Sequence, residues 1–482
     1  MHILENLEPK SVFNFFYEIS QIPRGSGNEK GISDYIVNFA KQRNLKYIQD
    51  KSLNVIIYKD ATPGREADGG LIFQSHMDMV CEQNSGTNHD FEKEPLKLRI
   101  DGDYIKATNT TLGADDGYGV AYQLALLDGN YNHPRLATIF TVEEETTMKG
   151  AYEIDGNLLS GYKYFFSLDS GGESFTTGCS SCLCQKIKIP INYLMTPLSF
   201  SSFIISVTGL KGGHSGGDIN KGLANANRLL GRILYNLFEK DILYLSEISG
   251  GKEDNAIPRE AFATISIPNE KIDQAQKLVE TCLKTFEKEY SNTERGIKIN
   301  LDKTEFLEKY ITKEDTRKIL TSILLIPNGV IEMSHNFDGI VESSNNLGVI
   351  TTENQVVSLM NLTRSLALSR QDFIQKQIME ICRMVGGTYE MCNYSPAWEF
   401  NPNSPFRDLC LKIYQQMWGK KGEVHITQGC TECGIFFEKL PNVDIIGFGP
   451  IKHGIHSPEE MISISSTKKV WEFIIKVLEE VR

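Results

Sequence analysis

Short apolar runs that end in acids or histidines constrain this chain more than any other feature. Leu71-Ile72-Phe73, Ala137 to Val142, Tyr164 to Leu168 and Val443 to Phe448 are too short for independent helices. They are rich in β-branched or aromatic residues, so they suit strands of a covered sheet. The polar residues come in the order His76 and Asp78, Asp115, the Glu144–Glu145 pair, Asp169 and His456, each expected just after a buried strand. Ligands and catalytic groups collect at the carboxyl ends of strands in open α/β sheets, so this shared placement predicts a single site.

A chain of 482 residues exceeds one ordinary core and predicts two or three domains. Its 62 acidic residues against 50 basic ones give a net charge of -12, which argues against a nucleic-acid or anionic-membrane partner. The start of the sequence has no basic segment followed by a sustained apolar stretch, and no run approaches the ~18 apolar residues of a membrane helix. A cytoplasmic protein is therefore expected. Cys179-x-x-Cys182 and Cys430-x-x-Cys433 imitate a structural zinc site, but their spacer is far longer than a zinc ribbon uses. The ten cysteines are expected to be reduced and to serve as small apolar residues.

Two patterns alternate along the chain. The helical spacing of Ile32, Tyr35, Ile36 and Phe39, the strand near Val55 to Tyr58 and the apolar helix from Val120 to Leu127 begin an α/β layer that continues to Asp169. Beyond about Cys184 the strands alternate as half-buried ones do, at Gln185 to Ile189, Ser202 to Thr208, Ala261 to Ile267 and Gly296 to Leu301. Helices at Ala224 to Phe238, Ile272 to Tyr290 and Arg370 to Val385 separate them. Acidic strand ends are lacking there, which suggests an inserted α+β domain. The last hundred or so residues return to the first pattern, so His456 must come back to the first domain across the insertion.

Two divalent cations roughly 3.5 to 4 Å apart need a shared bridging carboxylate and further ligands on each side. Asp115 is the candidate bridge, His76 and Asp169 complete one metal, and Glu145 with His456 the other. This mixed nitrogen and oxygen set suits zinc, with manganese or cobalt as substitutes. Asp78 follows His76 by two residues and is placed to accept the imidazole's other N–H. Glu144 adjoins a ligand yet points elsewhere, the position of a general base. His214, among glycines in GLKGGHSGGDI, is a candidate donor to the oxyanion formed at a substrate carbonyl. His453 competes with His456, which the following Ser-Pro-Glu-Glu turn favours. His2, His89, His133, His335 and His425 read as surface or structural.

SHMDMV, TLGADDGYG, VEEETTMKGA, SLDS, GLKGGHSGGDI, NAIP and HSPEE together resemble the motif series of the di-zinc aminoacylase and carboxypeptidase family. PNGVIEMSHNFDGIVESSNNLGVI and the TECG run narrow the likeness to the aminoacyl-histidine dipeptidases, also called Xaa-His dipeptidases or peptidase D. The resemblance implies an α/β fold: a mixed-sheet di-zinc exopeptidase catalytic domain over residues 1–186 and 391–482, with an inserted α+β lid over 187–390. It implies the same metal ligands, Asp78 and Glu144 in the roles above, and substrate contacts from His214, Asn255, Arg364 and Glu432. An arginine at 364 suits a peptide's terminal carboxylate, which guanidinium grips with two prongs.

Departures concern substrate choice. The run from Gln428 to Gly434 reads QGCTECG where such dipeptidases commonly have HAGLECG, and Asn220 and Leu223 stand where they often have His and Arg. A preference for histidine at the second position therefore does not follow. The expected activity is hydrolysis of short unblocked peptides, with a small peptide as partner. N-acyl amino acids, larger peptides and a non-catalytic binding role stay open, as does a homodimer through an open strand edge.

Overall fold

The computed structural model describes residues 2–482. The chain divides into two compact units. One runs through Cys179 and resumes over Phe400–Thr427 and Thr431–Arg482; the other comprises Ser180–Glu399 and Gln428–Cys430. This division keeps the strands Ser181–Pro190 and Thr388–Ser395 whole, where boundaries at 186/187 and 390/391 would cut them.

An eight-stranded mixed sheet centres the first unit. Its strands are β1 (Lys46–Gln49), β2 (Val55–Lys59), β3 (Gly70–His76), β4 (Leu136–Thr141), β5 (Tyr162–Ser167), β6 (Phe175–Cys179), β7 (Val424–Thr427) and β8 (Asp444–Phe448), in the spatial order β1-β2-β4-β3-β5-β8-β6-β7. The middle four run parallel. Every residue of β3 and β4 is buried, which explains why both read as unbroken apolar runs rather than alternating ones. After β3 the chain goes to one side to form β4 and then to the other to form β5. That reversal opens a crevice beyond the carboxyl ends of these strands.

Helices α1 (Lys10–Ser20), α2 (Lys30–Gln42), α3 (Ala114–Asp128), α4 (Pro405–Trp418), α5 (Glu432–Lys439) and α6 (Ile464–Glu480) accompany the sheet. The stripe Val470, Phe473, Ile474, Val477 and Leu478 of α6 is fully buried in the same core as Phe73 and Phe166, as its spacing predicts.

Two expectations about strand ends are corrected here. Asp115 does not follow a strand of the main sheet. It lies in the first turn of α3, where Gly113 at φ 64° turns the chain, and Asp115 and Asp116 keep non-helical backbone angles. His456 stands well past β8, in a loop after the two-residue strand Lys452–His453, with its own backbone at φ 61°. A turn and a loop therefore present these two side chains, which no apolar period marks.

The second unit is an antiparallel nine-stranded sheet whose path runs from Lys298–Lys303 at one edge to Thr388–Ser395 at the other. Helices Ala226–Phe238, Ile272–Glu289, Lys313–Leu325 and Leu368–Met384 share a separate apolar core with it. Two cysteines here overturn the expectation of thiols throughout. Cys182, in the strand Ser181–Pro190, forms a disulfide with Cys430 across 248 residues of sequence, their Cα atoms 6.5 Å apart. Folding brings the Gln428–Cys430 segment against that strand, and sequence spacing carries no trace of this. In denaturant without reductant, eight cysteines should react with a thiol reagent, and a dithiol pretreatment should expose the remaining pair. Reaction of all ten before reduction would contradict the bond.

Candidate active site

Asp115 stands at the centre of the polar residues at the end of the first sheet. One carboxylate oxygen lies 3.6 Å from His76 Nε2 and the other 3.7 Å from His456 Nε2. Three sets of potential ligand atoms each fall within 4.8 Å of one another: His76, Asp115 and Asp169; Asp115, Glu145 and His456; and His76, Glu144 and Glu145. The first two are the groups expected from the motifs, joined through Asp115, and the third sets Glu144 beside them. Glu145 reaches His456 Nε2 at 2.9 Å, whereas His453 lies against the Tyr104 ring.

Asp78 does more than its spacing suggests. His76 Nδ1 sits 3.1 Å from the Asp78 carbonyl and 3.4 Å from its carboxylate. The same carboxylate accepts the Ser26 hydroxyl at 2.7 Å and the backbone N–H groups of Glu144 and Glu145 at 3.0 and 3.2 Å. It thus ties the segments after β3 and β4 together. Burial opposes its ionisation, but His76, Ser26 and the Glu144 amide outweigh that and hold it below the usual carboxylate range.

Crowding of like charges marks the rest of the site. Burial, with the charge of Asp115 added, pushes Asp169 up to about 6. Burial raises Glu144 well above the ordinary range, and Asp169, Glu432 and Glu145 add to the effect. Lys452, which sequence reasoning missed, lies 2.8 Å from Asp115 and 3.7 Å from Asp169 and offsets part of this repulsion. Carboxylates and imidazoles in such a cluster are hard and borderline donors suited to divalent cations, and their mutual repulsion favours one. The residues fit a cation pair.

Two further groups lie in the TLGADDGYG run, from which no role was read for them. Asp116 is fully buried, both its carboxylate oxygens are without a hydrogen-bond partner among the described residues, and burial drives its carboxyl well above the normal range. The Tyr118 hydroxyl donates to the Leu168 carbonyl at 2.8 Å, steadying the turn that carries Asp169. A tyrosine in an apolar helix, or a second aspartate beside Asp115, gives no signal beyond its position.

The second unit gathers the residues expected to touch substrate. His214 pairs with Ala256 in a two-stranded ribbon, and Ser215 N–H donates to the Asn255 carbonyl at 2.8 Å, so His214 and Asn255 are exposed neighbours. His214 Nδ1 accepts the N–H groups of Gly216 and Gly217 at 3.2 and 3.1 Å, which leaves the ring proton on Nε2. Burial, then the Arg364 charge, lowers the His214 pKa and favours the neutral ring. Arg364 is 6% exposed; its Nη1 donates to the Gln428 carbonyl at 3.1 Å and lies 2.9 Å from Cys182 Sγ, and its Nε reaches Ser215 Oγ at 3.4 Å. The disulfide therefore fixes the carbonyl that orients this guanidinium.

Glu432 belongs to the first unit and is buried. One oxygen accepts the Thr141 hydroxyl at 2.6 Å and the Gln74 amide at 2.7 Å, while the other has no hydrogen-bond partner among the described residues. Burial, only partly offset by Thr141 and His76, pushes its carboxyl from 4.5 up to about 8. The unfolded chain ionises this group above about pH 4.5, whereas the folded one keeps the proton to about pH 8. Its contribution to stability is full below the lower value and is lost as pH rises toward the upper one. In metal-depleted protein, Glu432→Gln should gain stability over the parent across this window, by at most about 1.4 kcal/mol per pH unit. Thermal unfolding against pH tests this, and parallel curves for parent and variant would refute it.

Comparison with known proteins agrees with this geometry. Residues 72–480 match the description of peptidase family M20/M25/M40. The chain is 35% identical over 483 residues to the cytosol non-specific dipeptidase of Escherichia coli (strain K12), covering 100% of this chain and 99% of that one. The crystal structure of aminoacylhistidine dipeptidase from Vibrio alginolyticus is similar with a TM-score of 0.92 at 33% identity, over 100% of this chain and 98% of that one. Aminopeptidase PepT from Bacillus cereus, at 16% identity, TM-score 0.60 and coverage of 98% and 99%, shares the fold alone. The resemblance read from the motifs and the mixed α/β fold expected from it both hold: this chain belongs to peptidase family M20/M25/M40 and is a metallopeptidase.

Proposed function

We propose that this protein is a cytoplasmic two-metal dipeptidase that hydrolyses short unblocked peptides, Xaa-His dipeptides among them. The observation that carries the reading is Asp115, whose two carboxylate oxygens face His76 and His456 on opposite sides. His76, Asp115 and Asp169 would hold one cation, and Asp115, Glu145 and His456 the other. Zinc suits this donor set best, and manganese or cobalt would serve. When bound, the pair supplies Lewis acidity, polarising the scissile carbonyl and bringing an attacking water to ionise near neutral pH.

The protein's own groups do the rest. Asp78 holds the amides of Glu144 and Glu145, which directs neighbouring carboxylates to different tasks. Glu145 turns to His456, while Glu144 removes the proton from the attacking water and later delivers it to the amide nitrogen as the C–N bond breaks. His214, neutral and protonated at Nε2, donates to the carbonyl oxygen as charge develops there. Asn255 assists it, and Arg364 takes the peptide's terminal carboxylate. Glu432 is assigned to the substrate-proximal part of the site, behind Gln74 and Thr141. Full-length similarity to enzymes named as dipeptidases supports the choice of substrate.

Glu144→Gln should reduce kcat by several orders of magnitude while elemental analysis still finds two metal equivalents per chain. Persistence of activity would show that another group is the base. Chelation should abolish turnover, with recovery on adding zinc, manganese or cobalt. A panel of free and N-acylated dipeptides should show hydrolysis of the free ones only; preference for the acylated set would move the chain to the aminoacylase reading.

A further inference from the structure

Two buried ionic side chains that the mechanism leaves unused converge on the segment carrying Asp115. Arg24, 1% exposed, donates through Nη1 to the carbonyls of Met77 at 2.9 Å and Asp78 at 3.1 Å, and through Nη2 to that of Gly113. Glu460, 2% exposed, accepts the N–H groups of Leu112 at 2.7 Å, Gly113 at 2.8 Å and Asp115 at 3.1 Å. Gly113 is thus gripped at its carbonyl by one charge and at its amide by the other.

We infer that Arg24 and Glu460 are positioning residues that clamp Leu112–Asp115 from both polar sides and so set the Asp115 carboxylate for two cations. The inference rests on the reading of Asp115 as the bridge. Local sequence supports the clamp. A Cβ on Gly113 would lie 2.5 Å from Arg24 Nη2, and one on Gly117 2.6 Å from it, so both glycines leave room for the guanidinium. Gly113 also has φ 64°, where a side chain is strained. Burying a guanidinium and a carboxylate is costly unless they are satisfied, and apolar side chains of like volume would fill the same space. What apolar groups would not do is hold six backbone polar groups of the metal-site segments in place.

The clamp also connects separate ligands. Arg24 binds the carbonyl of Asp78, whose carboxylate steadies Glu144 and Glu145. Glu460 closes the turn that follows His456, its N–H donating to the Ser457 carbonyl at 3.0 Å. Glu460 therefore joins the His456 turn to the Asp115 segment, and its loss should weaken the Asp115, Glu145 and His456 group first.

Glu460→Gln and Arg24→Lys keep most of the side-chain volume and test this in the full chain. Zinc affinity, measured by chelator competition, should fall about tenfold to a hundredfold for at least one equivalent in Glu460→Gln. At fixed low zinc, kcat should fall with KM changed by less than about twofold, and added zinc should restore kcat. Glu460→Asp, which keeps the charge, should recover part of the affinity. Circular dichroism should show native structure in both volume-conserving variants. Zinc affinities within about twofold of the parent would overturn the clamp while leaving the centre intact. Loss of the native fold in both variants would also overturn it, by assigning these residues to stability of the whole unit. A parent chain that takes up no zinc would overturn the reading of the centre itself, and the inference with it.

Discussion

Asp78, Asp115, Glu144, Glu145 and Asp169 converge at one end of the first sheet, and the mutual repulsion of their carboxylates is the constraint on which the rest of the site depends. Left uncompensated in a partly buried place, such charges would be relieved by taking up protons. Burial and neighbouring carboxylates push Asp169 and Glu144 that way, while His76, Ser26 and the Glu144 amide hold Asp78 ionised. Lys452 supplies one positive charge beside Asp115, and the Asp115 carboxylate, set between two imidazoles, marks where more positive charge belongs.

Holding these groups together is a task for backbone as much as for side chains. Parallel strands β3, β4 and β5 deliver His76, the Glu144–Glu145 pair and Asp169 to one end of the sheet, where their order reverses; β3 and β4 are buried throughout and β5 over its last three residues. Asp115 and His456 arrive on a helix turn and a loop, which have no ladder to hold them. Arg24 and Glu460 take that role for the Asp115 turn by binding its main chain, while Tyr118 and Asp78 bind the main chain of the segments after β5 and β4. Irregular backbone near a catalytic centre is tolerable when its polar groups are satisfied in this way.

The second unit has its own organisation. An antiparallel sheet with a separate apolar core carries His214 and Asn255 on a short ribbon, and the Cys182–Cys430 disulfide anchors the carbonyl that Arg364 binds. The segment from Gln428 to Cys430 is also where the sequence departs from the pattern of the dipeptidases it resembles. The departure therefore includes the residue whose carbonyl Arg364 binds.

Much of this was legible in the amino-acid order alone. Apolar runs at 71–73, 137–142, 164–168 and 443–448 became buried strands because a period of unbroken hydrophobic residues has few other uses, and spacing named the polar residues that lie beyond them. Tertiary structure alone decided the remainder. It set Asp115 on a helix turn, brought Cys182 to Cys430 across 248 residues, and directed Arg24 and Glu460 to opposite sides of Gly113. The disulfide joins two of ten cysteines whose spacing does not mark them, and Arg24 and Glu460 bind backbone groups that every residue carries, so no pattern of side chains encodes where such contacts will form.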